Sequence, residues 1–358
     1  MEILIYGAVT SAIYALLAVG FTLIFGVARI LNLAHGSFYA LGAYGTYVLT
    51  SLAGLPLWQA ASIAIAFVAV FGIVVEKVLI RPLRHSQLGV LMISLAIALV
   101  VEQTLFLVFG SEYRNVPAFV DTKINLGGVD VAGQRLLTLV VAAVAIAALY
   151  LFIQFTRLGS AILAISQDPE AAKYMGIPSD KIFSLVMAIS AALAALAGVM
   201  AGPFLSVQPS MHLLPIVKAF AIVVVGGLGS IPGAFLASLF IGVTKALCAW
   251  AGTLHVFGIE LAMSKLTLVV EFIIMALVLM IRPWGLMGKA LTSTRLLHRP
   301  ETAPAPLQRS QGMLIVIAIV VASMVIGLAG PNDYGLVLGI DTMLMVMLAT
   351  SLHWMMSA

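Results

Sequence analysis

Long hydrophobic runs separated by short polar connections dominate the pattern of this chain. Most runs reach about 20 residues, the length that an α-helix needs to cross a bilayer, and they lack the alternation of a membrane β-barrel. The pattern predicts hydrophobic segments at residues 3–26, 35–53, 57–79, 88–109, 136–155, 182–202, 216–250 (interrupted), 265–282, 312–329 and 337–356. We therefore expect an all-α, polytopic bundle of about eight core spans, followed by two C-terminal hydrophobic segments. The first run lacks a basic leader and a small-residue cleavage site, so it is interpreted as a retained span.

Lysine and arginine orient these spans, because cytoplasmic connections of membrane proteins carry an excess of both. In one of the two possible membrane topologies, the connections on the cytoplasmic side contain Arg29, Arg81, Arg84, Arg157, Lys173, Lys181, Arg282, Lys289, Arg295, Arg299 and Arg309. The N-terminus is then outside. Residues 110–135 have balanced charges and strand-like positions, and they contain Gly127-Gly128. This stretch is predicted to be an external loop.

Composition excludes a soluble fold, since 63% of the residues are hydrophobic, only 9% are charged and the mean hydropathy is +1.17. The net charge of +4 follows from the inside bias. It does not indicate a nucleic-acid surface, because the basic residues are spread over several loops. The single cysteine, Cys248, excludes an internal disulfide framework and a multi-cysteine metal site.

Enzyme signatures are absent from the sequence. It has no P-loop, no histidine pair at metal-binding helical spacing and no nucleophile elbow. We therefore predict no enzyme activity, no metal site and no cofactor for this chain.

Two glycine-containing interruptions are candidates for a translocation pathway. Residues 226–233 break the long run 216–250 and include Gly226, Gly227 and Gly229. Irregular backbone at membrane depth can line a wet cavity, but a plain turn or close helix packing through glycine explains it equally well. The second interruption contains Asn32, His35 and Gly36. These residues could serve a polar ligand or cap the next helix, and capping is favoured by the local pattern alone.

Three ionisable residues lie within the predicted spans, where an unpaired charge is costly. At ~1.5 Å per residue from the outer ends, Lys245 lies roughly 8 Å deep, Glu271 roughly 9 Å and Glu102 roughly 10 Å. We hypothesise that Lys245 pairs with Glu271 or Glu102 near the external mouth. A structural ion pair is favoured over a substrate contact.

A polar, helix-prone stretch at residues 157–181 lies between two hydrophobic runs. Asp168 is a predicted N-cap, followed by Pro169 at the first helical position and the acidic Glu170, and Gly176 is a natural stop. The helix is expected to present the small side chains of Ala171 and Ala172 to a partner. An amphipathic helix on the lipid surface is the alternative, but its apolar face is small.

Four motifs in this order cover residues 1 to about 290: Gly26–Gly36, Arg157–Gly159 with Ser166–Ile177, Val225–Gly233, and Arg282–Lys289. Together they resemble the H-type permease subunit of branched-chain amino acid ABC importers. The resemblance implies a bacterial inner-membrane permease that forms a heterodimer with an M-type permease. It also implies two cytoplasmic ATPase subunits, which use the ATP, and a periplasmic substrate-binding protein. The helix beginning at Pro169 would then be the coupling helix that docks on an ATPase.

Two questions stay open at this point. A secondary transporter or channel for small polar solutes would also have broken helices and intramembrane charges, although it would not need an ATPase dock. Related systems carry branched-chain amino acids, other amino acids, or urea and short amides, and the residues do not separate these substrates.

The C-terminal part departs from the resemblance. Residues 1–290 form the predicted permease domain, 291–311 a cytoplasmic linker with several prolines, and 312–358 two hydrophobic segments. The last segment resembles the opening helix of an M-type permease. We hypothesise a truncated fusion of H-type and M-type permeases; a natural tail of two extra helices is the alternative.

Overall fold

A computed structural model describes residues 2–84, 86–126, 129–256 and 259–288. The chain divides into two units, Met1–Leu291 and Thr292–Ala358, and all described residues belong to the first. The predicted linker and both C-terminal hydrophobic segments lie outside the described residues.

Eleven α-helices and four short strands follow one another in the described part. The helices are α1 (Glu2–Ala28), α2 (His35–Tyr47), α3 (Leu57–Val75), α4 (Gln87–Phe109), α5 (Gly133–Phe155), α6 (Arg157–Gln167), α7 (Pro169–Tyr174), α8 (Ser179–Ala201), α9 (Leu213–Gly226), α10 (Ile231–Trp250) and α11 (Met263–Ile281). The strands are β1 (Lys123–Leu126), β2 (Val129–Ala132), β3 (Thr253–Val256) and β4 (Ile259–Ala262). Short π-helical turns extend α2 and α3, at Val48–Leu52 and Glu76–Ile80, and 3-10 turns occupy Arg81–Leu83 and Pro209–His212.

Seven of the described helical segments are long and apolar enough to cross a membrane. They are Ile5–Ala28, Leu57–Leu83, Gln87–Phe109, Gly133–Phe155, Ser179–Ala201, Pro209–Gly226 and Ile231–Trp250. The prediction of an all-α, polytopic membrane bundle is therefore confirmed. The predicted span at 35–53 is helical over residues 35–52 but is not among these seven segments, and the shorter apolar helix within α11 covers Val269–Ile281.

The centre of the bundle is built from α1, α2 and α8. Small residues let these helices approach closely: a Cβ atom at Gly42 would overlap the backbone of Ala195, and one at Gly198 would overlap Tyr39. Such contacts are typical of membrane helices, whose association depends on close van der Waals packing. On the periphery, α3, α4 and α5 leave large apolar side chains exposed, as expected of a lipid-facing surface.

The chain between α1 and α2 is non-helical; Arg29 at its start is exposed, whereas Ile30, Asn32 and Ala34 are buried. Arg29 turns it with a positive φ of 52°, and His35 then begins α2 beside Leu17, near the middle of α1. Irregular backbone at such a depth is tolerated only where protein surrounds it. Helix α2 therefore starts inside the bundle, beside α1.

Two antiparallel hairpins lie on the side of the bundle that the charge pattern places outside. β1 pairs with β2 in the register Lys123↔Ala132, and β3 pairs with β4 in the register Thr253↔Ala262. The first hairpin falls within the predicted external loop at residues 110–135. The sequence analysis did not predict the second one.

Candidate functional site

A cavity of about 490 Å³ lies among α1, α9, α10 and the loop that precedes α9. Aromatic, hydroxyl and cationic side chains surround it together with aliphatic ones. The residues that line it are Tyr6, Val9, Thr10, Ile13, Tyr14, Tyr39, Tyr113, Arg135, Phe204, Leu205, Ser206, Gln208, Ser210, Met211, Leu214, Pro215, Lys218 and Lys245. Arg135 follows the β1–β2 hairpin directly, so the cavity reaches toward the outer side of the bundle.

A buried ion pair stands at one wall of this cavity. Lys218 Nζ on α9 donates to Glu271 Oε1 on α11 over 3.0 Å, and the two side chains are only 10% and 2% exposed. Each helix thus brings one charge into the bundle, where the other charge compensates it.

The predicted pairing of Lys245 is wrong. Glu271 binds Lys218, and Glu102 lies beside the ring of His212, with 3.8 Å between Oε2 and Nε2. Lys245 Nζ instead donates to the hydroxyl of Tyr14 over 3.2 Å. Depth along the helix axis, on which the prediction relied, does not determine which face of a helix a side chain occupies.

Lys218 was missed by the sequence analysis. It lies in the predicted span 216–250, close to its outer end, and was overlooked among the apolar residues around it. Its charge within a predicted span is the signal that identifies it, and the same criterion had identified Glu102, Lys245 and Glu271.

The aromatic ring of Tyr14 lies between the two lysines. The Nζ atoms of Lys218 and Lys245 are each 5.4 Å from the centre of this ring. Lys245 approaches the ring from its hydroxyl edge, whereas the contact of Lys218 is of the cation–π type, which partly compensates the desolvation of an ammonium group. Tyr14 therefore joins α1 to both α9 and α10 at the inner end of the cavity.

None of the six residues predicted to line a pathway is among the residues that line this cavity. Asn32 accepts a hydrogen bond from Ala34 N through Oδ1, over 3.1 Å. The His35 ring contacts Leu17 O at 3.0 Å and Ser190 Oγ at 3.2 Å. These contacts fix the chain reversal before α2, but neither side chain caps that helix: its N-cap is Ala34, without a side-chain cap hydrogen bond.

The glycines of both interruptions make close backbone contacts. A Cβ atom at Gly36 would lie 2.9 Å from Ile216 Cβ, and one at Gly226 would lie 2.5 Å from the carbonyl carbon of Gly233. Gly227 has a φ of 104°, and a Cβ there would overlap Gly288. Gly229 similarly approaches Gly26. These contacts agree with the second explanation of the glycines, a turn with close helix packing. A role of these residues in the translocation pathway stays a prediction.

The polar stretch at 157–181 folds into α6 and α7, followed by the start of α8. Asp168 caps α7 as predicted: its Oδ1 accepts from Glu170 N at 2.9 Å and from Ala171 N at 3.0 Å. The helix ends at Tyr174, and Gly176 follows with a φ of 81°. The Gly176 and Ile177 amides bond back to Lys173 and Ala172 carbonyls, so both ends of α7 are fixed.

The expected docking face of α7 needs one correction. Ala172 is only 5% exposed and packs toward the body of the protein, so it cannot meet a partner. Ala171 and Glu170 are exposed. The large side chains of Tyr174 and Met175 are 88% and 83% exposed. An exposed apolar pair next to an internally packed alanine thus defines the outer surface of α7.

A second charged cluster, which the sequence analysis missed, lies at the corner between α3 and α4, on the side that the charge pattern places in the cytoplasm. The Glu76 carboxylate, with a side chain only 4% exposed, binds the guanidinium groups of Arg81 and Arg84. Arg84 also binds Asp180 at 3.0 Å, and Ser184 donates to Glu76 at 2.6 Å. The corner is therefore attached to the first turns of α8, close after α7.

The sequence of this chain is similar to that of a known family of proteins. Residues 3–279 match the family described as "Branched-chain amino acid transport system / permease component". The chain belongs to this family of membrane permeases. The family assignment agrees with the multi-pass helical bundle and confirms the resemblance found in the four sequence motifs.

Individual relatives support the assignment. The high-affinity branched-chain amino acid transport system permease protein BraD of Pseudomonas aeruginosa is 32% identical over 304 residues, which cover 81% of this chain and 96% of that protein. LivH of Escherichia coli, a permease protein of the same description, is 30% identical over 298 residues, 79% of this chain and 94% of LivH. The permease protein LivM of Escherichia coli is 28% identical over 269 residues, 67% of this chain and 62% of LivM.

Proposed function

We propose that this chain is the transmembrane permease subunit of an ATP-driven ABC importer that moves branched-chain amino acids across the cytoplasmic membrane of a bacterium. Support comes from the family assignment and from BraD and LivH, whose names give this transport role. The chain itself carries no ATPase site; separate cytoplasmic subunits bind and hydrolyse ATP.

The observation that carries the ATP-driven mechanism is the construction of α7. Its ends are fixed by backbone hydrogen bonds to the Asp168 carboxylate and by those around Gly176, while Tyr174 and Met175 are exposed. Exposed apolar side chains on a rigid element are typical of protein interaction sites. An ATPase docked on this surface would move α7, and with it α8, when it closes on nucleotide.

The same proposal includes three kinds of partner. A second, M-type permease completes the membrane unit, in keeping with the similarity of this chain to LivM as well as to LivH. Two ATPase subunits bind on the cytoplasmic side, and a periplasmic binding protein delivers the substrate outside. A secondary transporter or channel would need none of them.

The assembly is tested by purifying the tagged chain from its own host in mild detergent and identifying the proteins that accompany it by mass spectrometry. We expect an M-type permease and two copies of an ATPase. A chain that purifies alone and transports leucine on an ion gradient would instead establish a secondary transporter.

The docking role of α7 is tested in proteoliposomes that contain the complex and its binding protein. Glu170→Ala is expected to reduce ATP-driven leucine uptake strongly while ATP hydrolysis continues, because an exposed charge on the dock is removed. Glu112→Ala is the matched control, since this acidic residue is also exposed and lies before the external hairpin. Normal uptake per ATP in the Glu170 variant would contradict the docking role.

A further inference from the structure

The cavity wall has more positive charge than the described acidic residues can balance. Arg135, Lys218 and Lys245 all line it, whereas the described lining residues include no aspartate or glutamate. Glu271, behind the wall, balances only Lys218. The Arg135 guanidinium lies over the ring of Tyr6 at 3.9 Å. Two positive charges therefore face this space without a carboxylate partner in the described part of the chain.

Lys245 is the deeper of these two cations. Its ammonium group has three donors, and the Tyr14 hydroxyl accepts one of them. No described carboxylate lies within ion-pairing distance, 4.0 Å, of its Nζ atom. Because a charge inside a membrane bundle is costly unless an anion or water compensates it, the remaining donors are suited to an incoming anionic group.

The remainder of the cavity suits a small amphipathic molecule. Its volume of about 490 Å³ is within the usual range for small-ligand sites. Aliphatic side chains that line it include Val9, Ile13 and Leu214, and hydroxyl or amide oxygens are supplied by Thr10, Ser206 and Gln208. Both the apolar side chain and the ammonium group of a bound ligand would therefore have suitable neighbours beside Lys245.

From these observations we infer that the cavity is a transient substrate site in which Lys245 binds the carboxylate of the transported amino acid. The inference rests on the proposed function, which it deepens by naming the contact. The Tyr14 hydroxyl positions the ammonium group of Lys245. Lys218 does not bind the substrate carboxylate in this way, because its Nζ atom already donates to Glu271 Oε1 at 3.0 Å.

The charge preference is tested on the complete importer with a cysteine at Thr10, which lines the cavity one helical turn from Tyr14. Cys248→Ala first removes the native thiol. An anionic methanethiosulfonate reagent is expected to modify Thr10→Cys faster than a cationic one. Lys245→Met should lower this ratio by about tenfold or more, from the Coulomb energy of one charge at a few ångströms. Lys77→Met, which removes an exposed lysine, should leave it unchanged.

The ligand is tested on the same Thr10→Cys complex, without the binding protein. L-Leucine should slow the modification, whereas leucinamide, which lacks the carboxylate, should not. Lys245→Met should abolish this protection and Lys245→Arg should retain it. Equal protection by leucine and leucinamide, equal protection by inorganic phosphate, or a charge ratio that Lys245→Met leaves unchanged would overturn the inference.

ATP-driven leucine uptake by the same complexes separates the two proposals. We expect uptake by the unsubstituted importer and a loss of about tenfold or more in Lys245→Met, the value of one charged hydrogen bond. Unchanged uptake in Lys245→Met would overturn the lysine site and leave the proposed function intact. Protection by leucine without any ATP-driven uptake would support the site and contradict the proposed function.

Discussion

Ser184 Oγ on α8 donates a hydrogen bond to Glu76 Oε2 over 2.6 Å, across 108 positions of sequence. The same carboxylate holds Arg81 and Arg84, and Arg84 reaches Asp180 one turn before Ser184. Since α8 begins five residues after α7 ends, a displacement of α7 by the proposed ATPase partner would be transmitted to the corner between α3 and α4. This cluster is a physical connection between the proposed dock and the membrane bundle.

Glu76→Gln should weaken this connection. Neutralising a buried carboxylate that compensates two guanidinium groups is expected to cost about 3 kcal/mol of stability, and it should also lower the uptake of leucine per ATP hydrolysed. Thermal unfolding of the purified complex in detergent, together with the uptake assay, measures both effects.

The control for Glu76→Gln is Glu112→Gln, which removes an exposed ion pair with Arg114. Such surface pairs contribute about 0–1 kcal/mol. If the two variants unfold at the same temperature and transport equally well, the cluster around Glu76 has no structural or coupling role.

Removing only one member of the Lys218–Glu271 pair should destabilise the bundle. Lys218→Met leaves the carboxylate of Glu271 buried without its partner, for which about 3–5 kcal/mol is expected. The double variant Lys218→Met/Glu271→Met should recover most of this loss, because two apolar side chains can replace a buried ion pair at little cost.

Thermal unfolding of the two single variants and the double variant provides the measurement. A coupling energy near zero, with the two single effects adding in the double variant, would show that the contact at 3.0 Å contributes nothing to stability.

The end of α7 depends on the backbone conformation of Gly176. Its φ of 81° is unfavourable for residues with a side chain, while no atom within 4 Å would obstruct a Cβ there. Gly176→Ala is therefore expected to cost about 1–2 kcal/mol through backbone strain alone and to impair coupled uptake. Gly176→Asn should have a milder effect, because asparagine tolerates this conformation.

Uptake per ATP in the two Gly176 variants tests the requirement. Uptake per ATP is expected to be highest with the native glycine, lower in Gly176→Asn and lowest in Gly176→Ala. If uptake per ATP in Gly176→Ala equals that of the unsubstituted importer, the docking of α7 does not require the positive φ at position 176.

Local sequence signals predicted the features that depend on neighbouring residues. The hydrophobic runs gave the helices, because in lipid a span must satisfy its own backbone hydrogen bonds. Asp168 and Pro169 predicted the start of α7, and Gly176 predicted its end, because capping involves residues only two to five positions apart.

Side-chain partners across the bundle could not be predicted in the same way. Lys245 was assigned to a glutamate but contacts Tyr14, 231 positions away. Ala172 was expected on the outer face of α7 but lies against the core. In both cases the rotation of one helix about its axis decides the contact, and this rotation is set by packing against other helices.

The sequence by itself thus determined that this is a helical membrane permease, since composition, span length and four motifs are properties of the linear chain. Only the tertiary structure decided that Lys218 neutralises Glu271, that Lys245 faces a cavity, and that Glu76 attaches the α3–α4 corner to α8. The physical reason is that charge compensation in a membrane bundle occurs between helices, over a few ångströms, among residues far apart in sequence.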